Sequence, residues 1–135
     1  MPGPLHGVRI IDLTSMISGP STTLMLADQG ADVIKVENPV GGGDHTRSVS
    51  RHGTGLAASF LNNNRNKRSI TIDLKNPEGL PALLRLIRNA DVLVQNFRPG
   101  VAERIGVGEA AVREHAPDII HVSIAGFGFT VPYVA

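Results

Sequence analysis

The sequence of 135 residues contains no cysteine and no tryptophan, and its only aromatic residues are four phenylalanines and one tyrosine. Without thiols the chain can form no disulfide, no thiolate zinc site and no cysteine nucleophile. No apolar run approaches the roughly 20 residues that span a bilayer. The first seven residues also lack the basic start and apolar core of a secretion signal. We therefore expect a cytoplasmic protein with no membrane-spanning segment.

The sequence has almost no net charge, with 13 lysines and arginines against 12 aspartates and glutamates. This balance argues against general nucleic-acid binding, so no nucleic-acid partner is expected. The charge is nevertheless uneven, because residues 46–72 contain no carboxylate and five cations: Arg47, Arg51, Arg65, Lys67 and Arg68. An uncompensated stretch of this kind attracts anions such as phosphates, whereas the simpler interpretation is a solvated basic face. Charge alone leaves both interpretations open.

Five short apolar runs, at residues 8–13, 32–36, 69–74, 91–94 and 119–124, are rich in β-branched side chains and largely continuous. This pattern is typical of strands that are buried on both faces of a sheet. Helices are predicted between them at residues 20–29, 56–61, 77–90 and 108–115, with one further turn at 101–105. The alternation predicts an α/β domain with a mostly parallel sheet and helices on both faces.

Two segments depart from this regular pattern. The helix predicted at 77–90 has an apolar stripe, but Pro81 removes an amide near its start. We therefore expect either an irregular first turn or a helix that begins later. Residues 38–54 are rich in glycine, serine, aspartate and histidine, which predicts a long surface loop. The three glycines at 41–43 within it are interpreted as a hinge.

Ligands of open parallel sheets bind beyond the carboxyl ends of the strands. Here those ends carry polar side chains, cations and glycines, at residues 15–18, 37–38, 73–75, 95–98 and 126–128. This composition favours an anionic small molecule. The sequence has neither the dinucleotide fingerprint Gly-x-Gly-x-x-Gly nor a Walker-type phosphate loop, and its histidines show no metal-ligand spacing. No metal is therefore expected, and Asp12 in the first strand is interpreted as a structural carboxylate.

Several sequence segments, taken in order, resemble one known family. They are LT at 13–14, SGP at 18–20, LADQGADVIKVE at 26–37, GDHTR at 43–47, NRNKRS at 64–69, DLKNPEG at 73–79, ADVLVQNFRPG at 90–100, ERIG at 103–106 and SIAGFG at 123–128. Over residues 7–133 the chain resembles the amino-terminal part of the family III CoA-transferases, also called the CaiB/BaiF family.

The resemblance implies a Rossmann-like large domain, with residues 1–135 as its amino-terminal, CoA-binding part. The rest of that domain and a smaller second domain would lie outside this chain. It also implies an enzyme that moves coenzyme A between carboxylic acids through aspartyl-anhydride and aspartyl-CoA intermediates, with acyl-CoA and carboxylic acids as substrates. At full length the family forms interlocked homodimers. The family's nucleophilic aspartate would lie outside this chain, so no catalytic residue is assigned and the chain alone is expected to be inactive.

Nine residues match, by position, the places that contact CoA in the family. They are Met16, Ile17, Ser18, Asn38, Ile72, Lys75, Asn96, Phe97 and Arg104. The resemblance implies that Lys75 and Arg104 contact the CoA phosphates. Ile72 and Phe97 would pack against the adenine ring, and Asn96 would pair with its polar edges.

Three alternatives remain open from the sequence. The first is an acyl-CoA racemase or isomerase of the same family. The second is a truncated CoA-binding module without turnover. The third is a nicotinamide-dinucleotide oxidoreductase, which the missing glycine fingerprint disfavours.

Overall fold

The computed structural model describes residues 2–49 and 57–129, and their strands form one five-stranded sheet. The strands are β1 (Arg9–Asp12), β2 (Asp32–Glu37), β3 (Arg68–Thr71), β4 (Val92–Gln95) and β5 (Ile120–Ser123). The helices are α1 (Ser18–Asp28), α2 (Ala58–Asn64), α3 (Gly79–Ile87), α4 (Val101–Arg104) and α5 (Glu109–His115), and a 3₁₀ turn covers His45–Arg47. The α/β class predicted from the alternation of strands and helices is confirmed.

The strand order is β3-β2-β1-β4-β5, and every neighbouring pair is parallel. The chain builds outward from β1 to β3 on one side and then returns to β4 on the other side of β1. The direction of the order therefore reverses between β1 and β4. At such a reversal a crevice opens beyond the carboxyl ends of the strands, where ligands of this sheet type bind.

Helices cover both faces of the sheet, as the sequence predicts. Neighbouring side chains of β1 belong to opposite faces, because side-chain direction alternates along a strand. Ile11 belongs to an apolar cluster with Leu83 of α3 and Val112 of α5. Ile10 belongs to a separate cluster that contains Ala27 of α1. The two clusters pack the central strands between helices and so position the carboxyl ends of β1 and β4.

The edge strands contradict the prediction that all five strands are buried on both faces. All four residues of β3 are exposed, and Ile120 of β5 keeps 60% of its surface exposed. The central strands β1, β2 and β4 are mostly buried. A β-branched run therefore identified a strand correctly, but could not show whether a neighbouring element covers it.

The helix boundaries follow from local chemistry. Helix α3 begins at Gly79, so that Pro81 lies in the first turn, where amides have no intrahelical partner. The sequence left open an irregular first turn or a later start of this helix, and the later start is the one observed. The predicted start of α2 at residue 56 and residues 50–54 of the predicted loop lie outside the described residues. In the ranges described, no helix is both long and apolar enough to cross a membrane.

Gly19 lets α1 lie directly on the end of β1. A Cβ atom built on Gly19 would lie 2.2 Å from the Cβ of Thr14, far inside contact distance. The absence of a side chain here brings the first turn of α1 against the loop that follows β1. Both therefore border the edge of the sheet where a ligand is expected.

Candidate functional site

A cavity of about 400 Å³, here called the first cavity, lies beyond the carboxyl ends of β1, β2 and β3. Its wall includes four of the nine residues that the sequence assigns to CoA, which are Asn38, Ile72, Lys75 and Phe97. Ile72 is buried, whereas Asn38 and Lys75 are exposed. The cavity thus combines an apolar wall with polar groups at its mouth, which is the usual composition of a small-molecule site.

A second cavity of about 750 Å³ lies between the start of α1 and the segments that follow β4 and β5. Its lining includes three of the nine residues, which are Ser18, Asn96 and Phe97, together with Arg98 and residues 124–128. Phe97 lines both cavities. One aromatic residue therefore borders both cavities, which lie at neighbouring positions on the rim.

The remaining three of the nine residues line neither cavity. Met16 and Ile17 lie on the turn between β1 and α1, with 45% and 61% of their surface exposed. Arg104 is the last residue of α4 and is exposed, and its neighbour Ile105 lines the first cavity. The fold thus brings six of the nine residues to the two cavities and places the other three beside them.

Asn96 already has polar partners within the protein. Its side-chain oxygen accepts a hydrogen bond from the amide of Ser15 at 3.0 Å. Its side-chain nitrogen donates to the carbonyl of the same residue at 2.8 Å. The family resemblance implies that this amide pairs with the polar edges of adenine. In the structure, both its oxygen and its nitrogen are hydrogen-bonded to the backbone of Ser15 after β1.

A buried ion pair lies in the wall of the first cavity. The Lys35 Nζ lies 2.9 Å from Asp44 Oδ2, and both side chains are at most 2% exposed. Lys35 also donates to the carbonyl of Thr14 at 2.8 Å. Burial alone would raise the pKa of Asp44, but the Lys35 ammonium beside it and the hydrogen bonds from Thr46 outweigh burial and hold that pKa below its ordinary value. This pair fixes the loop after β2 against the end of β1.

Glu37, the last residue of β2, has all of its acceptor positions in use. It receives two hydrogen bonds from Arg47 at 2.7 Å, one from Ser69 at 2.6 Å and one from the Asp44 amide at 2.8 Å. Burial would raise the pKa of Glu37, but these bonds, led by those from Arg47, lower it to about 2. A Cβ on Gly43 would lie 2.5 Å from Glu37 Oε2, so the glycine segment packs closely on this carboxylate.

The state of Glu37 bears on the dinucleotide alternative. In Rossmann dinucleotide domains an acidic residue after the second strand accepts hydrogen bonds from a ribose. Glu37 occupies a comparable place, but it is 5% exposed and fully hydrogen-bonded by the protein. It is therefore not free to bind a ribose, which weighs further against a nicotinamide-dinucleotide enzyme.

The described cations of the basic stretch at residues 46–72 are paired with carboxylates in three dimensions, which removes the argument for an anion site from the charge of this segment. Each described cation of the stretch meets a carboxylate from elsewhere in the chain, and Arg51 lies outside the described residues. Arg47 pairs with Glu37, Arg65 with Asp28, Lys67 with Asp12 and Arg68 with Asp32. A count of charges along one segment misses partners on other strands.

Asp12 is structural, as its position in the first strand predicted. It is fully buried and accepts hydrogen bonds from the Thr14 backbone and hydroxyl, from the Thr23 hydroxyl and from Lys67 at 3.0 Å. Lys67 also donates to the carbonyl of Pro20. Burial lowers the pKa of Lys67, and the nearby Asp12 opposes this. The pair ties β1, α1 and the segment before β3 together.

Three cations near the cavities, by contrast, form no ion pair with any described residue. They are Lys75 after β3, Arg98 after β4 and Arg104 on α4. Lys75 lines the first cavity and Arg98 the second. Positive charge is therefore available to an anionic ligand from the loops that follow β3 and β4.

The sequence of residues 5–135 matches CoA-transferase family III. This match covers nearly the whole chain, in agreement with the ordered segments quoted above. The chain belongs to CoA-transferase family III.

Curated relatives within the family carry transferase names. The chain is 46% identical to the succinate–glutarate CoA-transferase of Agrobacterium fabrum, with 96% of the chain and 34% of that protein covered. It is 44% identical to human succinyl-CoA:glutarate CoA-transferase, with 96% of the chain and 30% of that protein covered. It is 40% identical to the beta subunit of succinyl-CoA–L-malate CoA-transferase from Chloroflexus aurantiacus, with 96% and 32% covered. The chain thus spans about a third of the length of these relatives.

Solved structures agree with the family fold. A CaiB/BaiF family protein from Brucella suis superposes with a TM-score of 0.92 at 39% identity, over 99% of this chain and 36% of that one. The orthorhombic form of a Mycobacterium tuberculosis protein gives a TM-score of 0.90 at 38% identity, over 98% and 37%. The five-stranded parallel sheet is therefore a family III arrangement.

Sequence reasoning missed the polar groups that support this family III rim. Lys35 lies in an apolar strand run, where a lysine between Ile34 and Val36 is a signal of a buried partner. Asp44 directly follows the glycines at 41–43, a position that does not itself indicate burial, yet it is 5% exposed. Gln95 reads in the sequence as a polar group on the rim, yet it is 3% exposed. An ionisable or amide group within or beside a buried strand is the signal that could have found them.

Proposed function

We propose that this chain forms the CoA-binding part of an enzyme that transfers coenzyme A between carboxylic acids. Membership of CoA-transferase family III supports the reaction class. The observation that carries the binding role is the first cavity, where Ile72, Lys75 and Phe97 meet at the carboxyl edge of the sheet. Family positions and sheet topology point to this edge by independent arguments.

The chemistry of CoA suits this edge of the sheet. Its diphosphate and 3′-phosphate carry roughly four negative charges, for which charge-assisted hydrogen bonds are the strong contacts. Lys75 and Arg104 are the cations proposed to receive them. Ile72 and Phe97 offer apolar surface to the adenine ring. Asn38, Met16, Ile17 and Ser18 complete the proposed contacts along the same edge.

The acyl-transfer steps are proposed for the complete enzyme, with no catalytic residue assigned among these 135. An aspartate carboxylate attacks the thioester carbonyl and expels CoA thiolate, which leaves a mixed anhydride. The thiolate then attacks the aspartyl carbonyl, releasing the first acid and forming aspartyl-CoA. The acceptor acid repeats these two steps in reverse, so that the aspartate is regenerated. Covalent catalysis of this kind divides one difficult transfer into easier steps.

Dicarboxylic acids are the proposed substrate class. The names of the relatives from Agrobacterium fabrum, human and Chloroflexus aurantiacus all state transfer between dicarboxylates, namely succinate with glutarate or malate. None of these three names describes a racemase, which favours the transferase over the isomerase of the same family. Incubation of the complete enzyme with succinyl-CoA and a panel of mono- and dicarboxylic acids tests this choice. Preferential product formation with monocarboxylic acids would contradict it.

An interlocked homodimer in the cytoplasm is part of the same proposal. The dimer rests on the family resemblance, and the cytoplasmic location is carried over from the sequence as an expectation. Light scattering of the complete enzyme measures its mass, and a monomer at micromolar concentration would contradict the dimer. Cell fractionation tests the compartment.

Calorimetric titration of the chain with CoA tests the binding role directly. Saturable binding at low ionic strength is expected, and it should weaken as salt is added because phosphate contacts are screened. The Lys75→Ala variant should bind CoA about tenfold more weakly, since it loses a charge-assisted hydrogen bond. Arg85→Ala is the matched control, because Arg85 is an exposed cation of α3 that lines neither cavity. Its affinity should stay within about twofold of wild type.

Absence of CoA binding by the wild-type chain at low salt would contradict the proposed function. Equal losses in Lys75→Ala and Arg85→Ala would show that general charge, and not the first cavity, attracts the ligand.

A further inference from the structure

The turn between β1 and α1 is held by side chains from three other parts of the fold. The Thr14 carbonyl accepts a hydrogen bond from Lys35 of β2 at 2.8 Å. The Ser15 amide and carbonyl are both bonded by the Asn96 side chain, at 3.0 and 2.8 Å. The Met16 amide lies 3.4 Å from Asp44 Oδ1. Three successive residues are thus fixed by contacts distant in sequence.

The conformation that these contacts hold is an uncommon one. Met16 has a φ of 69°, in the left-handed region that residues with a side chain rarely adopt. Such a conformation persists only where the surroundings impose it, and it is found more often at binding sites than elsewhere. Asn96 makes the two-point contact on the residue immediately before Met16. It is therefore well placed to keep the turn in this conformation.

The turn lies where a ligand would meet it. Met16 and Ile17 expose their side chains beside the rim, and Ser18 lines the second cavity. The Asn96 amide, in contrast, already accepts one hydrogen bond from Ser15 and donates another to it, so its orientation is set by the turn. One N–H and one oxygen lone pair remain on this amide, so a direct contact with a ligand and a positioning role have to be separated by experiment.

We propose that Asn96 is a positioning residue, which acts on CoA by holding the Met16 turn and not by contacting the ligand with its side chain. This inference rests on the proposed function, because it concerns how the same site binds CoA. It changes the role of one of the nine residues: the side chain of Asn96 bonds the protein, and the turn at 15–18 meets the ligand.

Glycine at position 16 separates the two possible roles of Asn96. Glycine adopts positive φ values about as readily as negative ones, so the turn would depend less on an external contact. If Asn96 acts through the turn, its removal should matter less in the Met16→Gly background. If the Asn96 side chain contacts CoA directly, its removal should cost the same in both backgrounds. The experiment is therefore a double-mutant cycle on CoA affinity.

Four proteins are titrated with CoA under identical conditions: wild type, Asn96→Ala, Met16→Gly and the double variant. We expect Asn96→Ala to weaken binding at least about tenfold in the wild-type background and no more than about threefold in the Met16→Gly background. Equal losses in the two backgrounds would overturn the proposal, as would an unchanged affinity in Asn96→Ala. Asn89→Ala is the matched control, since it removes an exposed amide bonded to the Arg85 carbonyl. Its affinity should remain that of wild type.

A second measurement keeps the inference testable apart from CoA binding. Hydrogen exchange of the amides at residues 15–18 should be at least about tenfold faster in Asn96→Ala than in Asn89→Ala, with the core strands unchanged. If the wild-type chain fails to bind CoA, the proposed function fails, whereas faster exchange would still support the role of Asn96 in the turn. Unchanged exchange at 15–18 would overturn that role whatever the ligand.

Discussion

The two halves of the ligand-facing rim are built from different chemistry. At the ends of β1 and β2, buried charges pair with one another, as in Lys35 with Asp44 and Glu37 with Arg47. At the ends of β4 and β5, the stabilising contacts are hydrogen bonds between neutral groups. Gln95 donates to the Ser123 hydroxyl at 2.8 Å and accepts from the Phe97 amide at 2.7 Å. One half is held by ion pairs and the other by amides and hydroxyls.

This difference separates structural charge from charge that a ligand can use. Cations in the ion-paired half are neutralised within the protein, so they contribute little attraction to an incoming anion. Near the cavities, the cations without an ion pair to a described residue follow β3 and β4, as Lys75 and Arg98 do. Stability of the two halves should also respond differently to acid, because only the ion-paired half depends on carboxylates. Three substitutions test this contrast.

Removal of Lys35 should produce the largest loss of stability. The Lys35→Met variant leaves Asp44 buried without its counter-ion and leaves the Thr14 carbonyl without its donor. We expect the free energy of unfolding to fall by about 4 kcal/mol, as is usual when one member of a buried pair is removed. Urea unfolding followed by circular dichroism measures this loss, since the chain has no tryptophan for fluorescence.

Arg113→Met provides the control for that experiment. Arg113 pairs with Glu109 one turn away on α5, and both side chains are about half exposed. Loss of such a surface pair should cost no more than about 0.5 kcal/mol. Similar losses in the Lys35 and Arg113 variants would remove the distinction between the buried pairs of the rim and ordinary surface charge.

Acid should selectively weaken the half that contains Glu37. Its pKa falls from 4.5 in the unfolded chain to about 2 in the fold. The stabilisation is therefore fully present above pH 4.5 and is lost as the pH falls toward 2, with a total of about 3 kcal/mol. The stability difference between wild type and Glu37→Gln should shrink by about this amount between pH 5 and pH 2.

Unfolding curves at a series of pH values test this expectation, with Glu109→Gln as the control. Glu109 is 59% exposed in its ion pair, so its difference from wild type should stay nearly constant. A pH-independent gap between wild type and Glu37→Gln would show that the Arg47 pair adds no stability through the charge of the carboxylate.

Substitution of Gln95 should give the smallest of the three effects. The Gln95→Met variant keeps a similar volume but leaves the Phe97 amide without its acceptor, which should cost about 2 kcal/mol. This loss should not change between pH 5 and pH 2, because no carboxylate takes part. Gln29→Met is the control, since the exposed side chain of Gln29 donates to the Met25 carbonyl on the surface of the protein. A loss that grows or disappears with acid would contradict the contrast between the halves.

The sequence predicted the fold well because strand and helix patterns are local. Short apolar runs rich in β-branched residues placed all five strands, and the position of polar residues after each run located the edge that holds both cavities. The contacts that organise this edge are not local. Lys67 meets Asp12 across 55 residues and Asn96 meets Ser15 across 81. No pattern of residues or charge count along the chain reveals such pairs, so neither the carboxylate partners of the basic stretch nor the partner of Asn96 follows from the sequence.

The exposed edge strands show that burial, like long-range pairing, is hard to predict from local sequence. Ile70 and Ile120 have the β-branched character of buried strand residues, yet 39% and 60% of their surface is exposed. Strand propensity records how a residue fits a pleated surface, whereas burial depends on which element lies next to it. The local pattern was sufficient to place the strands and insufficient to predict which of them are buried.

The position of Arg47 makes the ionisation of Glu37 observable at a single site. The guanidinium carbon of Arg47 lies 3.7 Å from the centre of the Phe60 ring, while its nitrogens hold Glu37. Ring currents from Phe60 should displace the side-chain N–H resonances of Arg47 in a nuclear magnetic resonance spectrum. As Glu37 takes up a proton, those resonances should move before the helical signal is lost. The molecule thus carries its own spectroscopic reporter for one carboxylate, independent of global unfolding.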